Sequence, residues 1–262
     1  MNEEIKSQAD LFNIDNKVAF ITGGGRGLGR QIAEIYASSG CHIAVCSRKL
    51  EQCEETARYL ENTFGIKAKG YACNIQNEED VKDTVEKVIS DFGQIDILVN
   101  NSGATWGASV EDMPLDGWQK VLNVNLTGTF LVTKEVGKQM IAQRSGKIIN
   151  IGSAAGVKAE PPEVLNAIGY STSKAAVHHF TRDLARKWAQ HNIYVNAIAP
   201  GFFPTTMTKH VLADKGEEIK NHNPLGRIGD DQALKGAALF FASPASDFVT
   251  GQVLSVDGGS TL

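Results

Sequence analysis

Short apolar runs alternate along the chain with longer stretches in which apolar positions recur every three or four residues. The runs are Val18–Thr22, His42–Cys46, Ala68–Ala72, Ile95–Asn100, Lys147–Ile151, Tyr194–Ala199 and Val253–Val256. Ile95-Asp-Ile-Leu-Val99 shows the pattern of a strand covered on both faces, apolar with little polar alternation. Between the runs, helical periodicity predicts helices over Leu28–Ser39, Leu50–Phe64, Glu78–Phe92, Gly117–Gln143, Ala167–Gln190 and Asp231–Ala242. Strands that alternate with helices need crossover connections, and right-handed crossovers place helices on both sides of a parallel sheet. The expected fold is α/β: one doubly wound Rossmann domain with a seven-stranded parallel sheet flanked by helices. Ligands of such sheets bind outside the carboxyl ends of the strands.

Length and composition narrow the picture. The 262 residues suit one domain, 1–262, with a polar N-terminal extension over 1–15, and 42% hydrophobic content supports a sizeable core. A net charge of -4 with no basic stripe argues against nucleic acid as a partner. No apolar run approaches the roughly 18–20 residues of a membrane span, and the polar start carries no signal-peptide pattern. A cytoplasmic setting without a membrane partner is the expectation. Cys41, Cys46, Cys53 and Cys73 lack metal-ligand spacing with histidines and read as reduced, buried thiols, so no metal site is expected.

Two segments carry chemistry. After the first strand, Thr22-Gly-Gly-Gly-Arg26-Gly27-Leu28-Gly29 opens directly into a helix. Glycines there let backbone approach a pyrophosphate held on the helix N-terminus, so Gly23, Arg26, Gly27, Leu28 and Gly29 are cofactor candidates. At the end of the second strand, an acidic residue would read the ribose of NAD. This chain has Ser47-Arg48, and a guanidinium beside a hydroxyl suits the 2′-phosphate of NADP, with NAD still possible. An arginine here also suits a merely solvated helix start. Far downstream, Tyr170-Ser-Thr-Ser-Lys174 puts a phenol and an ammonium on one helix face. A nearby cation favours the phenolate and makes acid/base chemistry accessible.

With these glycines, Tyr170 and Lys174, the chain resembles the short-chain dehydrogenase/reductase family over residues ~16–259. The resemblance extends to Asn100-Asn101-Ser102-Gly103-Ala104, to Asn125 in Val-Asn-Leu-Thr-Gly, to Ser153, to Pro200-Gly201 and to Asp257-Gly-Gly259. It implies an oxidoreductase moving hydride between a nicotinamide and a ketone or secondary alcohol. Tyr170 would protonate the carbonyl oxygen, Lys174 would lower the Tyr170 pKa and hold the ribose, and Ser153 would steady the carbonyl. Asn125 would hold a relay water. Asn74 and Ile75 would meet adenine, with Asn74 standing where the family has Asp. Asn101, Gly103, Pro200, Gly201 and Thr205 would also line the cofactor. A homotetramer, packed through the helices beginning at Gly117 and Ala167 and the last strand, follows from the same resemblance.

The substrate is less constrained. Gly103-Ala-Thr-Trp-Gly107, Pro200-Gly-Phe-Phe-Pro204 and Pro224-Leu-Gly-Arg-Ile-Gly229 resemble the gluconate 5-dehydrogenase-like group, which implies a keto-sugar acid. A more diffuse similarity points to 3-oxoacyl-acyl-carrier-protein reductases, with Arg144 at one carrier-docking position and His191 at the other. A segment over about 204–227 reads as a substrate lid, and its Lys209, His210, Lys215 and Lys220 either attract an anionic substrate or form a solvated surface. An NADP-binding sensor or scaffold is the non-enzyme alternative.

Overall fold

The computed structural model describes residues 7–262. Seven strands form one parallel sheet: β1 Val18–Thr22, β2 His42–Ser47, β3 Ala68–Ala72, β4 Ile97–Asn100, β5 Gly146–Ile151, β6 Ile193–Pro200 and β7 Val253–Val256. Their order is β3-β2-β1-β4-β5-β6-β7, every pairing parallel, so the chain reverses its direction of travel across the sheet between β1 and β4. The expected doubly wound sheet is the observed one.

Alternation of side chains along each strand builds two cores. On one face Ala19, Ile21, Ile43, Val45 and Val99 meet α2 (Gly27–Ser38), α3 (Leu50–Phe64) and α9 (Lys235–Ala242). On the other, Phe20, Ala44, Leu98 and Ile148 meet α4 (Glu78–Phe92), α6 (Gly128–Gln143) and α7 (Ile168–Trp188). Inside this frame Asn100 Nδ2 donates to Asn150 Oδ1 and to Thr133 Oγ1, and Asn150 Nδ2 donates to Thr181 Oγ1, each at 2.9 Å, while Asn100 Oδ1 has no hydrogen-bond partner among the described residues. These bonds tie β4 and β5 to the helices above them. The four cysteines are free and buried, as expected.

The elements depart from the sequence expectation in several places, each with a local cause. The expected helix Gly117–Gln143 is instead α5 (Leu115–Leu122), a π-helical turn over Asn123–Thr127, and α6. The wider turn carries Asn125 to the backbone of Ala104, where Oδ1 accepts from the amide at 2.7 Å and Nδ2 donates to the carbonyl at 3.0 Å. Such turns are uncommon and concentrate at functional sites. The helix expected from Asp231 starts at Lys235, because the Asp230 carboxylate accepts from the amides of Gln232 and Ala233 and holds a turn there. Within the polar extension, residues 1–6 lie outside the described residues; a one-turn α1 (Gln8–Leu11) has a reciprocal Ser7–Asp10 cap, and Ile14 is 1% exposed in the core.

Tyr36 shows how tightly the first core is closed. Its ring is fully buried and its hydroxyl donates to the Ala238 carbonyl at 2.9 Å, joining α2 to α9. Tyr36→Phe removes this buried bond while the Ala238 carbonyl keeps its place in α9, so urea denaturation is expected to show a loss of about 1 kcal/mol with an unchanged m-value.

Candidate active site

The Gly-rich turn is shaped by the loop after β4. Thr22 Oγ1 accepts from the amides of Asn101 and Ser102, both at 3.1 Å, and Asn101 Nδ2 donates to the carbonyls of Thr22 and Gly23 at 3.0 and 3.1 Å. A Cβ on Gly29 would stand 2.4 Å from that Nδ2, and one on Gly24 would stand 2.4 Å from Val45 Cγ1. Gly23 and Gly27 have φ of +65° and +56°, where other residues are strained. Beyond the turn, α2 begins at Gly27 with no side chain capping its first-turn amides, and its N-terminus opens on a cleft of about 520 Å³. Free amides at a positive helix end are a ready anion site. The turn therefore fits a pyrophosphate on the evidence of its own packing.

All but two of the expected cofactor and catalytic residues line this cleft. Gly29 faces the Asn101 amide instead, and Asn125 sits behind the wall, 1% exposed. Arg48 stands exposed at the adenosine end. The Ser47 hydroxyl is engaged locally, donating to the Lys49 carbonyl and accepting from the Lys49 amide and the Cys53 thiol. Sequence reasoning passed over Lys49, Gln52 and Lys120, which also line the cleft. For Lys49, adjacency to Arg48 was the available signal. Together Arg26, Arg48, Lys49, Lys120 and Lys174 bring five cations to a lining that contains no carboxylate.

α7 presents Tyr170 and Lys174 on one face, and the segment after β5 brings Ser153 against them. The Ser153 side chain favours the ionised form of the Tyr170 phenol, while its Oγ accepts from the Ala155 amide at 3.2 Å. Lys174 is 5% exposed, and its Nζ donates to the Ile151 carbonyl at 2.7 Å. Asn125 Nδ2 also donates to Ser173 Oγ at 2.9 Å, so the π turn braces the same helix. Under Ser153 lies a residue the sequence analysis missed. His178 is buried, its Nε2 accepts from the Ser153 amide at 3.4 Å, and its ring fills the space where Gly152 and Gly156 would carry Cβ atoms. Its signal in the sequence was a polar residue one turn beyond Lys174, on the same helix face.

A second cavity of about 620 Å³ continues from the first, and the two share Ser153, Tyr170, Pro200, Gly201, Met207 and Thr208. Its far wall is α8 (Lys209–His222), which fills the expected lid segment and breaks at Lys215, where φ is -122°. Lys209, His210, Lys215 and Lys220 do not line this cavity. The helix turns Val211, Glu218, Ile219 and His222 inward instead, while Lys220 pairs with Glu217 and Lys215 Nζ donates to the Glu163 carbonyl. Arg144 caps α6 beside the start of β5, at the opposite end of that strand from Ser153, and donates to the Gln190 carbonyl.

The model of the short chain dehydrogenase family matches residues 17–216. The chain belongs to this family. The 3-oxoacyl-[acyl-carrier-protein] reductase FabG of Aquifex aeolicus is 39% identical over 94% of the chain and 98% of its own length. The NADPH-dependent 3-quinuclidinone reductase of Rhodotorula rubra is 38% identical, with a TM-score of 0.91 over 99% of this chain and 97% of that one. A gluconate 5-dehydrogenase of Burkholderia cenocepacia, solved with NADP and tartrate, is 36% identical, with a TM-score of 0.92 over 97% and 99%. The short-chain dehydrogenase described here is thus an oxidoreductase. The sensor or scaffold alternative falls away. Among the described residues no group of side chains is arranged to hold a metal ion, and no helix is long and apolar enough to cross a membrane.

Burial sets the protonation of this dehydrogenase's site. It lowers Lys174 to about 8, and it raises Tyr170 above the usual phenol range, a rise that the Ser153 side chain opposes. The expected lowering of Tyr170 by Lys174 is therefore outweighed in this arrangement: the ammonium is held at the Ile151 carbonyl, with Nζ 5.7 Å from the ring centre. Burial likewise pushes His178 down to about 4, with Lys174 and Arg182 adding repulsion. An imidazole that is neutral when folded but takes a proton when unfolded costs stability as pH falls from about 6.5 toward 4. Thermal melts are expected to drop across that window, and His178→Leu is expected to flatten the drop.

Proposed function

We propose that this dehydrogenase transfers hydride between NADP(H) and a ketone or secondary alcohol, with Tyr170 as the proton donor of the reduction. The observation that carries the reading is that the two cavities meet at Ser153 and Tyr170. A carbonyl placed in the second cavity reaches an acid and a hydrogen-bond donor at the mouth of the first. When bound, the nicotinamide supplies the hydride. The phenol's raised pKa keeps it in the acid form that reduction needs, and the Ser153 hydroxyl donates to the same carbonyl oxygen as charge develops there. Lys174 supplies a positive field and a donor to the cofactor ribose. Asn125 acts as a positioning residue, since its amide is committed to Ala104 and Ser173; we place the relay water expected there at its main chain.

NADP is favoured over NAD by the wholly cationic lining of the first cleft, with Arg48 and Lys49 at the adenosine end to receive a 2′-phosphate. Among substrates, the named relatives span an acyl-carrier-protein thioester, 3-quinuclidinone and gluconate. A keto-sugar acid draws support from the last of these and none from the lid lysines. Segment 204–227 acts as the lid, with Lys215 as its hinge. Leu115, Phe130 and Ile168 on α5–α7, and Leu254 on the edge strand β7, are exposed apolar side chains that support a homotetramer packed through those elements; buried thiols suit a cytoplasmic setting.

Tyr170→Phe is expected to lose at least a thousandfold in kcat while retaining NADPH affinity by fluorescence titration. Turnover close to wild type would remove Tyr170 from its role. Alcohol oxidation needs the phenolate, so its rate is expected to climb with pH above neutrality, while ketone reduction stays level until the pH approaches the raised phenol pKa. Arg48→Gln is expected to cost about tenfold to a hundredfold in kcat/KM for NADPH and to leave NADH nearly unaffected.

A further inference from the structure

The second cavity differs from the first in chemistry, and the difference bears on the substrate. Val164, Leu165, Phe202, Met207, Val211 and Ile219 supply apolar wall around a space large enough for a substrate of drug size. Ionisable residues line it as well. Glu160 and Glu163 come from the segment between Ser153 and Tyr170, and Glu218 comes from α8. None of the three carboxylates forms an ion pair among the described residues.

The groups able to counter them are few. Lys158 lines the cavity, but its Nζ donates to the Ser260 carbonyl at 3.0 Å. Lys215 reaches the main-chain oxygen of Glu163 from outside the lining, and the His222 ring bonds the Glu218 carbonyl. No arginine faces the cavity. A substrate carboxylate would thus leave water for apolar walls and three like charges, with one tethered ammonium as its partner. An ammonium at the same place would meet those three carboxylates.

We propose that the pocket selects a ketone with an apolar body whose far end is cationic, ranking the neutral congener below it and the carboxylate congener last. This inference rests on the ketone-reductase reading above and deepens it. The cations lining the first cleft favour an anionic cofactor, while the three glutamates lining the second disfavour anions where the ketone must sit.

The test compares three cyclohexanones bearing the same two-carbon arm opposite the carbonyl, ending in dimethylammonium, isopropyl or carboxylate. Each is reduced with NADPH by the purified full chain at low salt. The expected order of kcat/KM is ammonium, isopropyl, carboxylate, with about tenfold or more between the extremes, residing in KM and compressed by added salt. In the triple variant Glu160→Gln, Glu163→Gln, Glu218→Gln, the ammonium-to-carboxylate ratio is expected to fall toward one. Because that ratio is internal to each protein, a partly unfolded variant still reports it. A carboxylate congener reduced as well as the ammonium one, or a ratio that survives in the triple variant, overturns the proposal. Reduction of the isopropyl congener with no charge order leaves the ketone-reductase reading intact and removes this inference alone. Failure to reduce any of the three while NADPH binds removes both.

Discussion

The short set of hydrogen bonds between Thr22, Gly23 and Asn101 is the constraint on which the rest of the site depends. It lies where the strand order reverses, so β1 and β4 leave the sheet side by side and their loops part. A crevice forms there by topology alone. The bonds convert that crevice into a particular site, because the Asn101 amide occupies the room a side chain on Gly29 would need. With the turn held, α2 starts at a fixed place and its uncapped amides face the cleft. Gly103, two residues past Asn101, then lies close to both Asn125 and Lys174, and the Gly-rich turn and the helix of Tyr170 and Lys174 share one frame.

That frame lets the protein keep unfavourable groups buried. Lys174 is almost wholly enclosed with one carbonyl partner, and His178 is enclosed beneath Ser153. Each carries a desolvation penalty that shows in its lowered pKa. Such penalties are tolerated where the surroundings over-determine the geometry. Here Asn125 braces α7 through Ser173, and the Ser173 hydroxyl in turn donates to the Tyr170 carbonyl at 2.7 Å. The π turn that delivers Asn125 is the local distortion this arrangement requires.

Legibility in the sequence followed the range of the interactions. The strands were readable because burial on both faces leaves apolar runs, and Tyr170 and Lys174 were readable because helix geometry alone makes them neighbours. Asn125 was recognisable by resemblance, but the π turn beneath it was not. That turn exists because Asn125 reaches Ala104, a contact across 21 positions that no local period encodes. His178 was hidden for a related reason: its place is defined by the absent side chains of Gly152 and Gly156, which lie on another segment. The lid misled in the other direction. Lysines in a polar stretch suggested an anion site, yet the face a helix turns inward depends on where its apolar residues find a wall. Val211 and Ile219 took the inner face and carried Glu218 with them.

The two cavities also constrain how a hydride donor and an acceptor can share one site. A cleft lined by five cations favours the ionised form of an acid beside it, yet burial is the largest influence on Tyr170 and holds its phenol above the usual range. Tyr170 faces that cleft from one side and the apolar cavity from the other. The apolar side and the burial of the ring work against ionisation, and the balance leaves the phenol protonated. The apolar walls of the second cavity therefore bear on the protonation of the phenol as well as on what the cavity can hold.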